Sequence, residues 1–334
     1  MNVLLTSVGR RAYMVKYFKE VIGAVGKVHV CNSDNKSIAF KYADKRVISP
    51  LIYDRNYIPF LVEYCKENGI DIIISLFDID LLMLAKHKTE FQKVGTKVIV
   101  SDPEIIEICN DKWMTYEFLK KNKFNTPRSF LKIKEVIKCI ADGSLLYPII
   151  VKPRYGCGSI SVAIAYDEED LVYLTKKANK EITTSYLKYE SSVTEEKIIY
   201  QEYLKGQEYG ADIINDLNGK NQNVIIRKKI AMRSGETDIA ELVDEPVIQN
   251  ALAKLGRVTK HIANMDCDVF LVDGKPYILE MNARFGGGYP FSHMGGCNLP
   301  QAIVNWVEGK DVSKEMISAK VGITGFKEIY ITEV

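Results

Sequence analysis

Short apolar segments alternate with amphipathic segments along the first hundred residues. Helical patterns such as residues 57–68 and 79–88 separate five predicted strands, which are expected at residues 2–7, 28–31, 46–48, 71–75 and 96–100. Strands and helices that alternate in this order are typical of a parallel, doubly wound α/β sheet. We therefore predict an N-terminal α/β domain over residues 1–104. Ligands of such a sheet bind at the carboxyl ends of its strands.

Later in the chain the pattern changes to one that favours antiparallel sheets. Apolar and polar residues alternate loosely at 210–215 and 223–232, as they do in strands with one solvated face. Residues 245–262 carry apolar positions at helical spacing, which predicts a packing helix. The C-terminal part of the chain is thus expected to be α+β.

Composition and charge exclude several classes of protein. The 45 basic and 43 acidic residues give a formal charge of +2, which argues against nucleic-acid partners. No apolar run reaches the roughly 20 residues that span a bilayer, and the N-terminus lacks a signal-peptide core. We expect a soluble, cytoplasmic protein with no membrane partner, and the composition is compatible with a homodimer. The seven cysteines occur singly, as in a reducing compartment: Cys31, Cys65, Cys109, Cys139, Cys157, Cys267 and Cys297.

The segment 266–288 predicts a β-hairpin. Its apolar stretches at 269–272 and 277–279 flank the dipeptide Asp273-Gly274, a strong turn signal. Asp268 and Glu280 lie at the two outer ends, and the hairpin folds them back toward each other. The alternative is a surface hairpin with solvated acids.

Two further polar residues follow Glu280 at a spacing of two. An extended chain points Glu280, Asn282 and Arg284 to one side. Two carboxylates, an amide and a guanidinium that converge on one point need a partner. Mg²⁺ that bridges nucleotide phosphates meets that need through hard oxygen ligands, and arginine neutralises further phosphate charge. We therefore predict a metal site at Asp268, Glu280 and Asn282, with one or two Mg²⁺ ions or with Mn²⁺.

A second motif predicts a phosphate-binding loop. The apolar strand 147–152 ends at Lys152 and is followed by a loop that contains Gly156, Gly158 and Ser159. Glycines let backbone N–H groups approach an anion, and lysine supplies a point charge. The lysine precedes the glycines, so this is not a Walker motif. A plain hairpin loop is the alternative, although it leaves Lys152 unexplained.

A third motif predicts a nucleotide-binding edge. The strand 198–203 runs into a linker at residue 204, and such an edge can offer backbone groups to adenine. Downstream, the basic cluster of residues 227–233 alternates between two faces. One basic residue suffices near the phosphates; we favour Lys228, and the sequence does not separate it from Lys229.

Taken in order, these motifs resemble the ATP-grasp superfamily, and in particular proteins similar to the carbamoyl phosphate synthase large subunit. The string D-V-F-x-V-D-G-K-P-Y-x-L-E-M-N-A-R-F-G-G from Asp268 resembles the family's metal-binding hairpin. The string Q-E-Y-L-x-G-x-E-Y-x-x-D from Gln201 resembles its adenine hinge and following strand. Asp111-Lys112 resembles the pair whose lysine reaches the triphosphate. Two departures are Asp rather than Glu at 268, and a chain about one-third the size of a full carbamoyl phosphate synthetase.

The resemblance implies a fold and a binding site for ATP. It implies a two-lobed ATP-grasp fold with antiparallel sheets, in which 105–195 is the central subdomain with the glycine-rich flap and 196–334 is the C-terminal subdomain. Glu202 and Leu204 would frame the adenine, and Glu208 would accept hydrogen bonds from the ribose. The nucleotide-binding residues implied are Lys112, Lys152, Gly156, Gly158, Ser159, Gln201, Glu202, Tyr203, Leu204 and Glu208.

The activity implied is an ATP-dependent carboxylate–amine ligase that proceeds through an acyl phosphate, with Arg284 and Lys152 as catalytic residues. The substrates would be a small carboxylate, such as an amino acid, and an amine. Two alternatives stay open: an enzyme of carbamoyl phosphate synthase type that releases the acyl phosphate, and a non-catalytic ATP-binding module.

Candidate residues for the acceptor substrate lie at strand ends and in loops. Arg10 and Arg11 begin a helix, where they can bind an anion or face solvent. Asp78 can bind an amine or cap the following helix. Gly287 lets the backbone approach a ligand, and His293 is expected in a polar loop, as a substrate contact or an incidental residue.

Overall fold

The first hundred residues form a five-stranded parallel sheet with helices on both faces. In the computed structural model, which describes residues 1–156 and 160–333, the strand order is β3-β2-β1-β4-β5 and every pair is parallel. The predicted doubly wound α/β domain is therefore confirmed. Its elements are β1 Asn2–Thr6, α1 Ala12–Ile22, β2 Lys27–Asn32, β3 Lys45–Ile48, α2 Tyr57–Asn68, β4 Ile72–Ser75, α3 Asp78–Lys86, α4 Lys88–Lys93 and β5 Lys97–Val98, with 3₁₀ turns at Gly23–Val25 and Ile38–Lys41.

The central strands of this sheet are apolar on both faces because both faces are covered. Successive side chains of a strand point to opposite sides, so Leu4 joins one core while Val3 and Leu5 join the other. Ile73 and Ile74 divide in the same way. Near-continuous apolar runs are what parallel strands buried on both faces require.

The middle of the chain forms a separate lobe around a four-stranded antiparallel sheet of order β6-β9-β7-β8. Two helices, α5 Pro103–Asn110 and α6 Lys112–Lys121, lead into it. The last strand of this sheet along the chain, β9 (Ile198–Glu202), lies after the expected boundary between residues 195 and 196. The sheet therefore extends across that boundary. The elements of the lobe are β6 Ser129–Phe130, α7 Ile133–Ala141, β7 Ile149–Pro153, β8 Ala163–Ala165, α8 Glu168–Thr184, α9 Leu187–Glu190, a 3₁₀ turn at Ser191–Val193, and β9 Ile198–Glu202.

The C-terminal lobe is built on a six-stranded antiparallel sheet of order β14-β13-β10-β11-β12-β15. With the previous lobe it gives the two antiparallel sheets expected after the parallel domain, and the predicted fold class is confirmed. Its elements are β10 Gln207–Asn215, β11 Asn221–Arg233, β12 Glu236–Val243, α10 Pro246–Thr259, β13 Asn264–Val272, β14 Lys275–Asn282, α11 Tyr289–Met294, α12 Leu299–Val307, a 3₁₀ turn at Glu315–Ile317, and β15 Thr324–Phe326.

The N-terminal domain and the C-terminal lobe share their apolar cores, whereas the central lobe has its own. One shared core contains Leu4 with Met265 and Ile278, and the other contains Val3 with Phe285. Among the described residues, the buried members of the central lobe's core lie between Val136 and Tyr200, and Phe130 and Ile133 pack against them. The central lobe is therefore joined to the remainder of the molecule mainly at its edges.

Two findings bear on the surroundings of the protein. In the described part of the chain, no helix has both the length and the apolar character needed to cross a membrane. The six cysteines described by the structure are free thiols, five of them buried.

Candidate functional site

A cavity of about 230 Å³ lies between the central lobe and the C-terminal sheet. One wall comes from β7 and β9 with the segment that follows them, and the other from β10, β11, β13 and β14. Apolar side chains from both walls (Ile150, Leu204, Phe270 and Leu279) give it the character of a site for a flat ring. It brings together these residues of the predicted nucleotide and metal sites: Lys112, Lys152, Gly156, Gln201, Glu202, Tyr203, Leu204, Glu208, Asp268 and Glu280.

The acidic residues of the cavity are neighbours on adjacent strands. Asp268 on β13 pairs directly with Glu280 on β14, and on its other side it pairs with Gly210 on β10. The ladder shifts between Asp268 and Val269, and this bulge at Leu279 lets the two carboxylates face each other. The predicted hairpin is thus confirmed, with its two outer acids side by side.

The predicted metal-binding residues offer a donor set that suits Mg²⁺. Asp268 and Glu280 line the cavity, while Asn282 lies beside Glu280 on an adjoining space of about 20 Å³, with 3.5 Å from its Nδ2 to Glu280 Oε1. Among residues 1–156 and 160–333, no three His, Cys, Asp or Glu side chains are grouped to hold a metal. Two carboxylates and one amide carbonyl are hard ligands that leave positions for phosphate oxygens and water.

Two lysines face these acids across the cavity. Lys152 is only 5% exposed, and its burial lowers its pKa to about 8, assisted by the nearby charge of Lys112 and opposed by Glu280 and Asp268. Lys112 donates to the carbonyl oxygen of Gly156 at 2.5 Å. Lys112 and Lys152 therefore border the same space as the paired carboxylates Asp268 and Glu280.

Asp111 fixes the position of Lys112. Its carboxylate caps α6 by accepting from the backbone N–H of Trp113 at 2.9 Å. The same carboxylate accepts from Nε and Nη2 of Arg154 at 2.8 and 2.7 Å, and from the Tyr155 hydroxyl at 3.1 Å. Asp111 thereby ties the helix that carries Lys112 to the strand end that carries Lys152. The sequence prediction used only the lysine of this pair.

The predicted nucleotide-binding segment lies at the end of β9, an inner strand of the central sheet. Gln201 is buried and donates to the Ser129 hydroxyl at 2.9 Å, while its Oε1 has no hydrogen-bond partner among the described residues. The carboxylate of Glu202 accepts from the backbone N–H of Arg128 at 3.1 Å. Tyr203 and Leu204 leave the strand and line the cavity. These contacts fix the end of β9, and the two residues that follow it line the cavity.

The lysine of β11 that faces the cavity is Lys229, and the preference for Lys228 is wrong. Lys229 lines the cavity, with its ammonium 2.6 Å from Glu208 Oε1 and 2.7 Å from Asp268 Oδ1. Lys228 pairs with Tyr209 and Glu241 in the strand ladder, and consecutive residues of a strand point to opposite faces. The register of β11 against β10 determines that Lys229, and not Lys228, faces the cavity.

A buried charge network lies beside the cavity, on the same face of the C-terminal sheet as Lys229 and Asp268, and the sequence reasoning missed it. Arg227 is 2% exposed and forms ion pairs with Asp212, which is fully buried, and with Asp266 at 3.1 Å. Burial and the neighbouring charge of Asp268 raise the pKa of Asp266 to about 6. The available signal was the presence of charged residues within otherwise apolar strands.

Arg284 joins this network to the N-terminal domain. Its guanidinium lies 2.7 Å from Asp78 Oδ2 and 3.5 Å from Asp266 Oδ2, and it is largely buried. Asp78 is the first residue of α3 and does not cap it; Phe77 holds the cap position. The capping alternative for Asp78 is therefore wrong, and its carboxylate is directed at Arg284.

The remaining predicted substrate residues fall into two places. Arg11 donates to the carbonyl oxygen of Phe285 at 2.6 Å, and Arg10 is exposed beside it. A Cβ on Gly287 would lie 3.6 Å from Glu236 Oε2, and Lys327, followed by Arg11 and Arg10, lowers the pKa of Glu236. These residues lie where the N-terminal domain meets the β11–β12 hairpin.

His293 is elsewhere, and its expected place in a polar loop is wrong. It lies in α11 and stacks on Tyr17 with ring centroids 3.6 Å apart, while Nδ1 lies 3.2 Å from the Tyr289 hydroxyl. Burial among these rings lowers its pKa. Gly158 and Ser159 of the predicted flap lie outside the described residues.

Comparison with known families matches two segments of the chain. Residues 3–99 match the PylC-like N-terminal domain, and residues 109–288 match the ATP-grasp domain. The carbamoyl phosphate synthase large chain of Pseudothermotoga lettingae is 22% identical over 310 residues, which are 87% of this chain and 26% of that protein. This chain thus spans about a quarter of the length of that relative.

Solved structures share the fold over almost the whole chain. The biotin carboxylase domain of the Hydrogenobacter thermophilus 2-oxoglutarate carboxylase, in complex with MgADP, ADP and bicarbonate, has a TM-score of 0.74 and 19% identity, covering 95% of this chain and 72% of that one. The L-amino acid ligase from Bacillus licheniformis has a TM-score of 0.68 and 21% identity, covering 92% and 75%. With the ATP-grasp match over more than half of its residues, this chain belongs to the ATP-grasp family.

Proposed function

We propose that this protein is an ATP- and Mg²⁺-dependent carboxylate–amine ligase that forms ADP and phosphate. The observation that carries the proposal is the cross-strand pairing of Asp268 with Glu280 on the wall of a cavity that Lys112 and Lys152 also line. Such a set of charges suits a polyphosphate that carries a divalent ion. A site that only bound adenosine would not need both carboxylates.

Different parts of the cavity receive different parts of the nucleotide. The segment after Glu202 and the apolar side chains around it receive the adenine, and Glu208 receives the ribose hydroxyls. Lys112 and Lys152 bind phosphate oxygens. Asp268, Glu280 and Asn282 would hold Mg²⁺, whose charge, when it is bound, offsets that of the phosphate oxygens.

The chemistry is phosphoryl transfer followed by acyl transfer. An oxygen of the substrate carboxylate attacks the γ-phosphorus as the bond to the β–γ bridging oxygen breaks, so ADP leaves and an acyl phosphate forms. The amine then attacks the acyl carbon, phosphate leaves with the bonding electrons, and the nitrogen loses a proton. Lys152 supplies positive charge inside the cavity, and Arg284 supplies it from the neighbouring network with Asp78 and Asp266, so catalysis rests on positioning and electrostatics.

The proposed carboxylate substrate is a small molecule such as an amino acid. The surface beside Arg10, Arg11 and Gly287 adjoins the C-terminal sheet and holds both signs of charge, because Glu236 and Lys327 form an ion pair there at 3.2 Å. A zwitterion suits such a mixed surface. The fold shared with an L-amino acid ligase supports this choice.

A second candidate function is release of the acyl phosphate without capture by an amine. Its support is the similarity to a carbamoyl phosphate synthase large chain over 87% of this chain. The two functions differ in one measurable requirement, because a kinase of this type would form ADP with a carboxylate or carbamate alone, whereas the ligase would need the amine as well.

The test is an ADP-release screen of amino acids and small carboxylates, alone and in pairs, with ATP and Mg²⁺. We expect ADP only when both an acid and an amine are present. Glu280→Ala should abolish release while the fold is retained, as judged by circular dichroism. The matched control is Glu241→Ala, since Glu241 pairs with Lys228 on the opposite face of the same sheet. Near-wild-type turnover in the Glu280 variant would contradict the metal site.

A further inference from the structure

The ammonium group of Lys229 bridges two acids that belong to different parts of the proposed nucleotide site. It lies 2.6 Å from Oε1 of Glu208, the proposed ribose acceptor, and 2.7 Å from Oδ1 of Asp268, a proposed metal ligand. Its side chain is 8% exposed, whereas those of the two acids are 28% and 27% exposed. The lysine is therefore buried between carboxylates that themselves face the cavity.

The strand between Lys229 and Asp268 is built to let this contact form. Lys229 belongs to β11 and Asp268 to β13, and β10 runs between them with Gly210 opposite Asp268. A Cβ on Gly210 would lie 3.3 Å from Lys229 Cε and 3.3 Å from Arg227 Nη2. Such a distance is tight, so the missing side chain at 210 gives the lysine a path across β10.

The same contact reduces the repulsion between the two carboxylates of the proposed metal site. Asp268 and Glu280 are direct cross-strand neighbours, and like charges in that position repel. Lys229 neutralises Asp268, and the amide of Asn282 lies 3.5 Å from Glu280. Each carboxylate of the proposed metal site thus has an internal partner of positive polarity.

We propose that Lys229 is an internal counter-ion of the metal site, which makes binding of the divalent ion depend on the nucleotide. This inference rests on the proposed function, because it takes Asp268 as a metal ligand. A divalent ion that enters alone must compete with the ammonium group for Asp268. An ion that enters with a nucleotide brings phosphate oxygens, which give the ammonium group new partners. Lys229 is thus a positioning residue that favours the metal–nucleotide complex over either component alone.

The test measures metal binding directly, with Mn²⁺ as the probe and electron paramagnetic resonance as the readout, in the presence and absence of ADP. In the wild-type protein we expect weak binding of free Mn²⁺ and much tighter binding with ADP. Lys229→Met should tighten the binding of free Mn²⁺ by about tenfold or more, because the variant removes the positive charge that competes with the metal ion for Asp268. The same variant should weaken binding of ADP with Mn²⁺, so the coupling between the two ligands falls.

Two variants separate this role from a general effect of charge or folding. Lys228→Met removes the same charge one residue away on the opposite face of β11, and it should leave binding of free Mn²⁺ unchanged. Lys229→Gln keeps a hydrogen-bond donor and removes the charge. It should also tighten the binding of free Mn²⁺, and it replaces the methionine variant in the test if that variant does not fold.

The outcomes distinguish this inference from the proposed function. If wild-type protein binds Mn²⁺ with ADP but neither Lys229 variant changes the affinity for free Mn²⁺, the counter-ion role is wrong and the ligase proposal stands. If wild-type protein binds no Mn²⁺ even with ADP, both are wrong. Equal tightening by Lys228→Met would also overturn the role, since it would reflect net charge alone.

Discussion

At the scale of single residues, the glycines after the β13–β14 hairpin are explained by the charges beside them. A Cβ on Gly286 would lie 2.1 Å from Cγ of Asp266, and one on Gly288 would lie 2.6 Å from Arg227 Nη2. At Gly287 the nearest atom is Glu236 Oε2, at 3.6 Å. Two of the three glycines therefore make room for the buried charge network, and the middle one does not.

This difference gives a paired prediction. We expect Gly286→Ala to lower the free energy of unfolding by about 1–3 kcal/mol, because the added methyl group overlaps the Asp266 carboxylate and must displace a buried ion pair. Gly287→Ala should change it by less than about 0.5 kcal/mol. Urea unfolding of both variants checks the prediction. Equal stabilities would mean that the ion pairs of Asp266 rearrange around the added methyl group at little cost in free energy.

Lys152 gives the site a dependence on pH. Its pKa in the folded protein is lowered to about 8 from 10.5 by burial, and the protonated form binds phosphate. We therefore expect the affinity for MgADP to fall as the pH rises through 8, by up to about tenfold per pH unit. The sign for stability is the reverse: the buried charge destabilises the fold below pH 8, and that cost is relieved between pH 8 and 10.5.

Titration calorimetry with MgADP across this pH range measures the effect. Lys152→Arg is the matched variant, because a guanidinium stays protonated throughout and should flatten the profile. An unchanged wild-type affinity up to about pH 9.5 would show that Lys152 keeps its proton or does not contact the phosphates.

At the scale of elements, the junction between α6 and β7 depends on Asp111. Its side chain is 3% exposed and that of Arg154 is 13% exposed, so the pair is largely shielded from water. One carboxylate there caps a helix and receives a two-point contact from a strand end. Both elements carry lysines of the proposed phosphate site, so the junction sets the distance between those lysines.

We expect Asp111→Ala to lower the free energy of unfolding by about 2–5 kcal/mol, because Arg154 and the first turn of α6 lose their partner. The KM for ATP should rise as well, since Lys112 directly follows Asp111. The matched control is Asp102→Ala at the start of α5, where the side chain is 85% exposed and makes no capping bond. A double-mutant cycle with Arg154→Ala should show that the two losses of stability are coupled. Additive losses would contradict a direct stabilising contact between Asp111 and Arg154.

The hairpin shows what the sequence predicts and what it does not. Alternation and the Asp273-Gly274 turn predict both strands, yet a regular two-residue turn pairs Val272 with Lys275 and would place Asp268 opposite Leu279. The observed bulge moves the register by one, so Asp268 faces Glu280. The two acids were predicted to meet, but neither the alternation nor the turn signals the bulge that aligns them.

Faces and long-range pairs mark the limit of sequence reasoning at this scale. Alternation separates Lys228 from Lys229, but only the pairing of β11 with β10 decides which one enters the cavity. The ion pairs of Arg227 with Asp212 and Asp266 join positions up to 39 residues apart. Charged residues in a strand look alike from the sequence whether they face water or each other.

At the scale of the whole molecule, the central lobe contacts the N-terminal domain through an aromatic pair. Tyr53, in the segment between β3 and α2, stacks on Tyr189 with ring centroids 4.4 Å apart and planes at 27°. The Tyr53 hydroxyl donates to Glu190 Oε1 at 2.7 Å. Glu190 also borders the small space that Glu280 and Asn282 line. This contact therefore holds the central lobe against the proposed metal site.

Because the central lobe has a core of its own, losing this contact should move the lobe without unfolding it. We expect Tyr53→Ala to raise the KM for ATP about two- to tenfold, which matches the roughly 0.5–1.5 kcal/mol of an aromatic pair. Tyr53→Phe keeps the stack and loses the hydroxyl, so its effect should be smaller. Small-angle scattering of the alanine variant should show a larger radius of gyration, which ATP with Mg²⁺ reduces.

The control for this prediction is an exposed tyrosine of the same lobe outside the contact. Tyr173 on α8 is 63% exposed, and Tyr173→Ala should leave both the KM and the scattering unchanged. A Tyr53→Ala variant with a normal KM would mean that nucleotide contacts alone bring the lobes together. If KM rises while the radius of gyration stays constant, Tyr53 acts through Glu190 at the metal site and not through the position of the lobe.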